Sequence, residues 1–474
     1  MRSYILTLLL LLALHASAFD AAMQTRRDSI LSVITGCPDA VQQVKSITSF
    51  GAKSGGMKNC KPAFDKAMKE ASRRKGGLHI VVPEGKWFVK GPIRLVSNVT
   101  LEIKEGATIL FSPEPDDYLP MVRTSWEGTF CQNYSPFIYA FMAENVRICG
   151  KGTINGNCAD TFPKWKSKQS AGQKKVRQQD HDETPIDLRN CQKDDYLRPQ
   201  FVQFFGCKNI TVEDIFVTNS PFWCVHLLKS ENIVCRNLRY DVKLVNNDGI
   251  DVEMSRDVLI EGVAFDNGDD DIAIKSGRDN DGWGDNSNIA PKGLEELYRP
   301  IPSENIIIRN CHFKGLHGIV IGSEMSAGVQ NVFVENCDHA GYNKRAIYFK
   351  TNQDRGGFIR NIYMQNLKFG KVEDLFYITS KYASEGQSGT HPSVVSDVYV
   401  DGVTCERVLN AAVVLQGTEN EPLRNISFRN MNIKEAKIGF SSMYAPGVSI
   451  TDCNIGGTVN TAPTTASPKD NLWR

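Results

Sequence analysis

ENIVC (231–235), RDVLI (256–260), ENIII (304–308) and QNVFV (330–334) are copies of one pattern: a polar residue, then Asn or Asp, then alternating apolar positions. The pattern returns at SNVTL (97–101), ENVRI (144–148), KNITV (208–212), RNIYM (360–364), SDVYV (396–400) and RNISF (424–428). Between the Asn/Asp positions 209, 232, 257, 305, 331, 361, 397 and 425 the steps are 23, 25, 48, 26, 30, 36 and 28 residues. A recurrent unit of about two dozen residues marks a repeat architecture. The step of 48 is either doubled or carries an insertion.

Each copy alternates with period two and is bounded by Asn, Asp or Gly, as short strands are. A second strand set follows, GIDVEMS from 249, DIAIKSG from 271, GIVIGSE from 318 and AIYFKTN from 346. Short regular strands with no helical pattern between them fit an all-β fold, a right-handed parallel β-helix whose equivalent strands stack about 4.8 Å apart. A propeller, with a period nearer ~40 residues, is the competing architecture. The Asn before each strand belongs at a tight turn, where it tolerates left-handed dihedrals and bonds neighbouring backbone. Stacked coils also place cysteines at equivalent inward positions, so most of the thirteen read as core residues. Their odd number leaves at least one free, and none sits in a CxxC pair that would suggest zinc.

The helical pattern CKPAFDKAMKEASRRKGG (60–77) sets Phe64, Met68 and Ala71 on one face and ends in Gly-Gly, which predicts an N-terminal helix capping the first coil. Two segments depart from the repeat, 158–200 and 279–303, and are expected as long loops on one side of the solenoid. Hydrophobic residues at 41% and charged residues at 23% are ordinary globular values. Lys+Arg (55) against Asp+Glu (54) leaves a net charge of +1, which gives no footprint for nucleic acid. Residues 1–18 read as a secretory signal, with Arg2, an apolar stretch from Ile5 to Leu14 and Ala16-Ser17-Ala18 before the cleavage point. That stretch is too short to span a bilayer and no later one approaches the ~20 residues required, so a soluble secreted or periplasmic protein is expected, without a membrane partner. Residues 19–457 are expected to form one β-helix catalytic domain, and 458–474 a disordered tail. Four N-x-S/T sites occur, at Asn98, Asn133, Asn209 and Asn425, three of them inside the repeat motif.

Aligning the second strands on Ile250, Ile272, Ile319 and Ile347 puts Asp248, Asp270, His317 and Arg345 two positions earlier, on successive rungs, with Asp269 beside Asp270. A single Asp-Gly is ordinary turn chemistry. Three consecutive acids in GDDD at a strand entrance are costly unless something requires them, and with the histidine and cations they form one stripe. Alternation alone does not assign that stripe to a face.

At these residues the sequence resembles glycoside hydrolase family 28, the polygalacturonase family of parallel β-helix enzymes. NNDGID (246–251) is similar to the family's NTDGID, GDD (268–270) to its second motif and LHGIVIGS (316–323) to its third, with NSPFW (219–223) alongside. The resemblance runs from about 46 to 455, and WEGTFCQNYSPFIYA (126–140) is similar to the larger bacterial and plant-type branch. It implies an inverting glycosidase of galacturonate-containing pectic polysaccharide, with no metal or cofactor. In that mechanism Asp269 is the general acid, Asp248 and Asp270 activate water, and His317 tunes the acid or holds substrate. Where the family has RIK then Thr, this chain reads YFKT (348–351), keeping Lys350, replacing the Arg by Tyr348, and offering Arg345 as the first Arg of a longer motif. Lys350, Arg345 and Tyr348 are therefore the expected substrate-binding residues. The replacement leaves rhamnogalacturonan or a substituted pectin open as substrate. A Ca²⁺-dependent β-helix lyase and a noncatalytic carbohydrate-binding solenoid are the competing functions. Trp283, Tyr298 and Arg299 in the 279–303 insertion are expected to wall one end of the cleft and favour release from a chain end.

Overall fold

The computed structural model describes residues 21–456 apart from 41 and 383–388, together with the backbone of 458–459 and 464–465. The signal reading (1–18) and most of the tail reading (458–474) lie outside the described residues, the exceptions being 458–459 and 464–465, which are strand. The repeat winds into a right-handed parallel β-helix. A propeller is ruled out because equivalent strands of successive coils pair in parallel, as Val146↔Ile210, Ile210↔Ile233, Ile233↔Val258 and Val258↔Ile306 do along the sheet of Asn-led strands, here the back sheet. The second strand set forms the front sheet, in register through Val202↔Val225, Val225↔Ile250, Ile250↔Ile272, Ile272↔Ile319 and Ile319↔Ile347. The in-register Ile and Val side chains stack inward as one continuous core, which is where most of the hydrophobic stabilisation arises.

The turn entering each back-sheet strand shows why the repeat needs Asn or Asp. Asn145, Asn209, Asn232, Asp257, Asn305, Asn331 and Asn361 all have φ between 56° and 59°, a left-handed conformation in which these two residues are several-fold enriched. Their amides also bond along the stack: Asn209 donates to Asn145 (2.8 Å), Asn232 to Asn209 (2.7 Å), Asn305 to Asp257 (2.9 Å) and Asn331 to Asn305 (3.1 Å). An aspartate accepts but cannot donate, so each Asp copy ends one run of the ladder and begins the next. Asn98 and Asn425 are engaged in the same ladder and Asn133 is buried, so these sequons are structural positions in the fold.

The expected cap forms as α2 (Lys61–Arg73), burying Phe64, Met68 and Ala71 with Ala63 and Ala67. A further helix, α1 (21–33), has no counterpart in the sequence reading. Its end packs Ile30 and Ile34 against Val234, Leu259, Ile307 and Phe333, the outward positions of four successive back-sheet strands. The two insertions are not plain loops: the first carries α3 (Ser170–His181) and the second α4 (Asp279–Trp283) and a turn of helix at Glu295–Tyr298. All thirteen cysteines are free thiols and all but Cys149 are buried, as the core reading expects. No helix among the described residues is long and apolar enough to cross a membrane.

Candidate active site

The front sheet presents its polar side chains on the outer face, and the acids gather at the entrance to its strands. Asp270 stands opposite His317 in the ladder, and His317 opposite Arg345. The face that alternation leaves open is decided by contacts: Asp270 receives a hydrogen bond at 2.7 Å from His317 Nδ1 and lies 3.0 Å from Lys350 Nζ. Lys350 occupies an outward position between the inward Phe349 core and the strand end, so Asp270 faces outward with it. Asp269 Oδ1 lies 3.7 Å from the same histidine nitrogen, and its Oδ2 accepts from Asn246 at 3.2 Å. Its side chain, 22% exposed, is far more open to the cleft than that of Asp270, 3% exposed. Asp248 is buried one coil earlier, its Oδ1 without a hydrogen-bond partner. The third acid of GDDD has a different task. Asp271 is buried and accepts from the backbone of Lys314 (3.1 Å) and Gly315 (2.9 Å), fixing the turn that leads into His317.

The acids are thus driven apart in proton affinity. Burial, reinforced by Asp251, Asp269 and Asp270, pushes Asp248 well above the usual carboxylate range. Burial would raise Asp270 too, but the Lys350 charge and the His317 hydrogen bond overcome it and hold this carboxyl far below that range. The cluster therefore combines one firmly ionised carboxylate with a neighbour that favours its proton. In a coupled group such as this the proton belongs to the cluster rather than to one residue. Asp269, Asp270 and His317 bring donor atoms within 4.8 Å of one another, a spacing open to a cation. The Lys350 ammonium already supplies positive charge there.

The three expected binding residues differ in their surroundings. Lys350 joins the acid cluster. Arg345 lies over the rings of Tyr348 (4.4 Å) and Tyr377 (4.1 Å) and pairs with Asp374 at 3.5 Å. Tyr348 is almost wholly buried between Arg345 and Lys350, so it spaces two cations and offers little surface to a ligand.

Sequence reading missed two further cations. Lys275 is buried over the Trp223 ring (4.6 Å) and lies 3.3 Å from Glu324 and 3.7 Å from Asp251. Burial pulls its pKa down, but Glu324 and Asp251 raise it well above normal. Burial opposes the ionised form of Glu324 too, yet Lys275, Arg278 and Arg355 bring it to about 2. Counting outward positions from Ile272 would have found Lys275. Arg198 comes from the first insertion, where no period marks it. It donates to Asn246 Oδ1 (2.8 Å) and the Val245 carbonyl (3.0 Å), and so orients the amide that holds Asp269. Asn247, standing where the resembled motif has Thr, donates to the carbonyls of Ser220 and Phe222 and ties NSPFW to the acid-bearing turn.

The expected aromatic wall is corrected. Tyr298 is fully buried, packed edge-on to Phe130 at 4.9 Å, because the short helix carrying it folds back onto an apolar cluster under the insertion. Arg299 pairs with Glu296 at 2.7 Å. Trp283 lines a recess together with residues of α3.

Comparison with known proteins agrees with this geometry. The family model described as Glycosyl hydrolases family 28 matches residues 79–453. The crystal structure of a hyperthermoactive exopolygalacturonase from Thermotoga maritima superposes with a TM-score of 0.80 at 34% identity, covering 90% of this chain and 96% of that one. A probable polygalacturonase from Vitis vinifera is 26% identical over 85% of this chain and 78% of its own length. An exo-poly-α-D-galacturonosidase from Dickeya chrysanthemi is 26% identical over 88% and 71% respectively. With a match that spans most of the β-helix and includes every acid of the cluster, the chain belongs to glycosyl hydrolases family 28.

Proposed function

We propose that this glycoside hydrolase cleaves galacturonate-containing pectic polysaccharide by inverting general acid/base catalysis, acts from a chain end, and works after export from the cell. The observation that carries the chemistry is the split of one carboxyl cluster into a firmly ionised Asp270 and a neighbour, Asp248, that favours its proton. Hydrolysis with inversion needs both forms at once, one to protonate the leaving oxygen and one to deprotonate water on the opposite side of the sugar. Asp269, the member open to the cleft, delivers the proton. Asp270, fixed as a carboxylate by Lys350 and His317, deprotonates the water, and Asp248 helps to orient it. Lys350 also meets the carboxylate of a uronate, and Lys275 adds positive potential deeper in the cleft. The exo assignment is supported by the two relatives whose names carry it.

Digestion of polygalacturonate, rhamnogalacturonan and a substituted pectin, with product identification, tests the reading. Release of mono- or disaccharides with new reducing ends from polygalacturonate, initially of inverted anomeric configuration, is expected. Cleavage of rhamnogalacturonan or substituted pectin alone would transfer the activity to that substrate. Unsaturated products would show a lyase, and binding without products a carbohydrate-binding solenoid.

A further inference from the structure

A recess of about 750 Å³ opens between α3, α4 and the chain that follows Lys350. Asn352, on its wall, is two residues beyond Lys350, so the recess begins within about 7 Å of chain from the acid cluster. The repeat has no need of it, since its walls come largely from the two insertions. These are fastened together: the Asp281 N–H donates to Asp180 Oδ1 at 2.9 Å, Asn280 donates to the Asp180 carbonyl at 3.0 Å, and buried Arg189 pairs with Asp281 at 2.7 Å.

Its charges are unevenly matched. Asp279 is paired with Arg355 at 2.8 Å, and Asp354 accepts from the backbone of Gly389 (2.8 Å) and Thr390 (3.1 Å). On the cationic side Arg177 is matched by Glu127 at 2.9 Å. Lys174 lines the recess, is exposed, and pairs with no carboxylate among the described residues. The indole of Trp283 is held by a bond to Asn280 Oδ1 and stacks on the His391 ring at 4.2 Å. An unmatched ammonium in the same recess as a fixed aromatic pair and several side-chain amides suits a sugar that carries a carboxylate.

We propose that this recess is a distinct binding site for one acidic sugar unit of the substrate chain, held away from the bond that is cleaved, with Lys174 engaging its carboxylate and Trp283 setting its orientation. The proposal rests on the reading of the protein as a uronate-chain hydrolase and adds where a second part of the chain is held. Longer chains then bind more tightly than the shortest cleavable one, through contacts that do not change in the reaction.

The test compares wild type, Lys174→Ala, Lys174→Arg and Trp283→Ala on galacturonate oligomers of increasing length. For Lys174→Ala, KM on the longer oligomers should rise about tenfold, roughly the value of one charge-assisted contact, with kcat unchanged and the shortest substrate unaffected. Lys174→Arg should restore most of the loss, which a merely structural role for the lysine would not predict. Trp283→Ala should erode the same length dependence. Equal KM values for wild type and folded Lys174→Ala at every length would overturn the proposal. A wild type that cleaves no galacturonate oligomer would instead defeat the functional reading. In that case calorimetry with trigalacturonate decides the recess separately: binding weakened by Lys174→Ala upholds it, and no binding, or equal binding, rejects it.

Discussion

The back and front sheets of this β-helix are built on the same period and use it in opposite ways. On the back, successive rungs repeat Asn or Asp at one dihedral, and the amides meet in runs that end at each Asp. On the front, the outward register Gln203, His226, Asp251, Ala273, Val320, Tyr348 changes at every step. Polar groups on the back are satisfied by their own copies. On the front, Asp248 Oδ1, both Asp251 oxygens and Glu253 Oε1 are buried without hydrogen-bond partners, each at a cost of about 1–3 kcal/mol. Repetition supplies stability that a site can then spend, and the chemistry lies where repetition stops.

The contrast is open to attack at several points. Asp269→Asn on the front should lower turnover by about 10²- to 10⁴-fold, the usual contribution of a general acid, with the melting temperature unchanged. Full activity in the folded variant would remove Asp269 from the mechanism. Tyr298→Ala, within the insertion, should destabilise the fold by about 3 kcal/mol in denaturant titration, since it empties a buried aromatic site. A shift in product profile without loss of stability would return Tyr298 to the cleft.

On the back, Asn305→Ala should cost about 2 kcal/mol, because φ near 57° disfavours alanine and two ladder bonds are lost. Activity per folded molecule should be untouched, and Asn305→Gly should recover the conformational part. The smallest effect concerns His339, buried near Phe369 in the coil interior with both ring nitrogens unpartnered. Burial lowers its pKa to about 4. The unfolded chain takes up this proton near the ordinary value of 6.5 and the folded chain only near 4, so this contribution to stability is full above 6.5 and falls as pH drops towards 4. His339→Phe should therefore gain about 1–2 kcal/mol at pH 5 relative to its effect at pH 8. An equal effect at both values would show that His339 does not titrate in this way.

Much of the fold was legible because stacking forces equivalent residues to recur at a readable interval. The same arithmetic placed Asp270, His317 and Arg345 in one register. Other features have no interval to betray them. In α3 only Gly172, Val176 and Asp180 are buried, so it shows no apolar stripe to set it apart from a solvated loop. Arg198 reaches the acids from that same aperiodic segment. α1 did leave a trace, since Val234, Leu259, Ile307 and Phe333 are apolar at outward positions where a solvent-facing strand would be polar. That run announces a covering element without saying which part of the chain provides it.

The order of synthesis gives α1 a further meaning. It is the earliest described stretch of the chain to emerge, yet Arg27 pairs at 2.5 Å with Glu335, 308 residues later. Its seat is incomplete until four rungs of the back sheet have stacked, so during vectorial synthesis the helix waits, its apolar side open to any chaperone that holds unfolded chains. Its closure is a late event, joining the beginning of the polypeptide to coils that nearest-neighbour stacking alone would never bring it near.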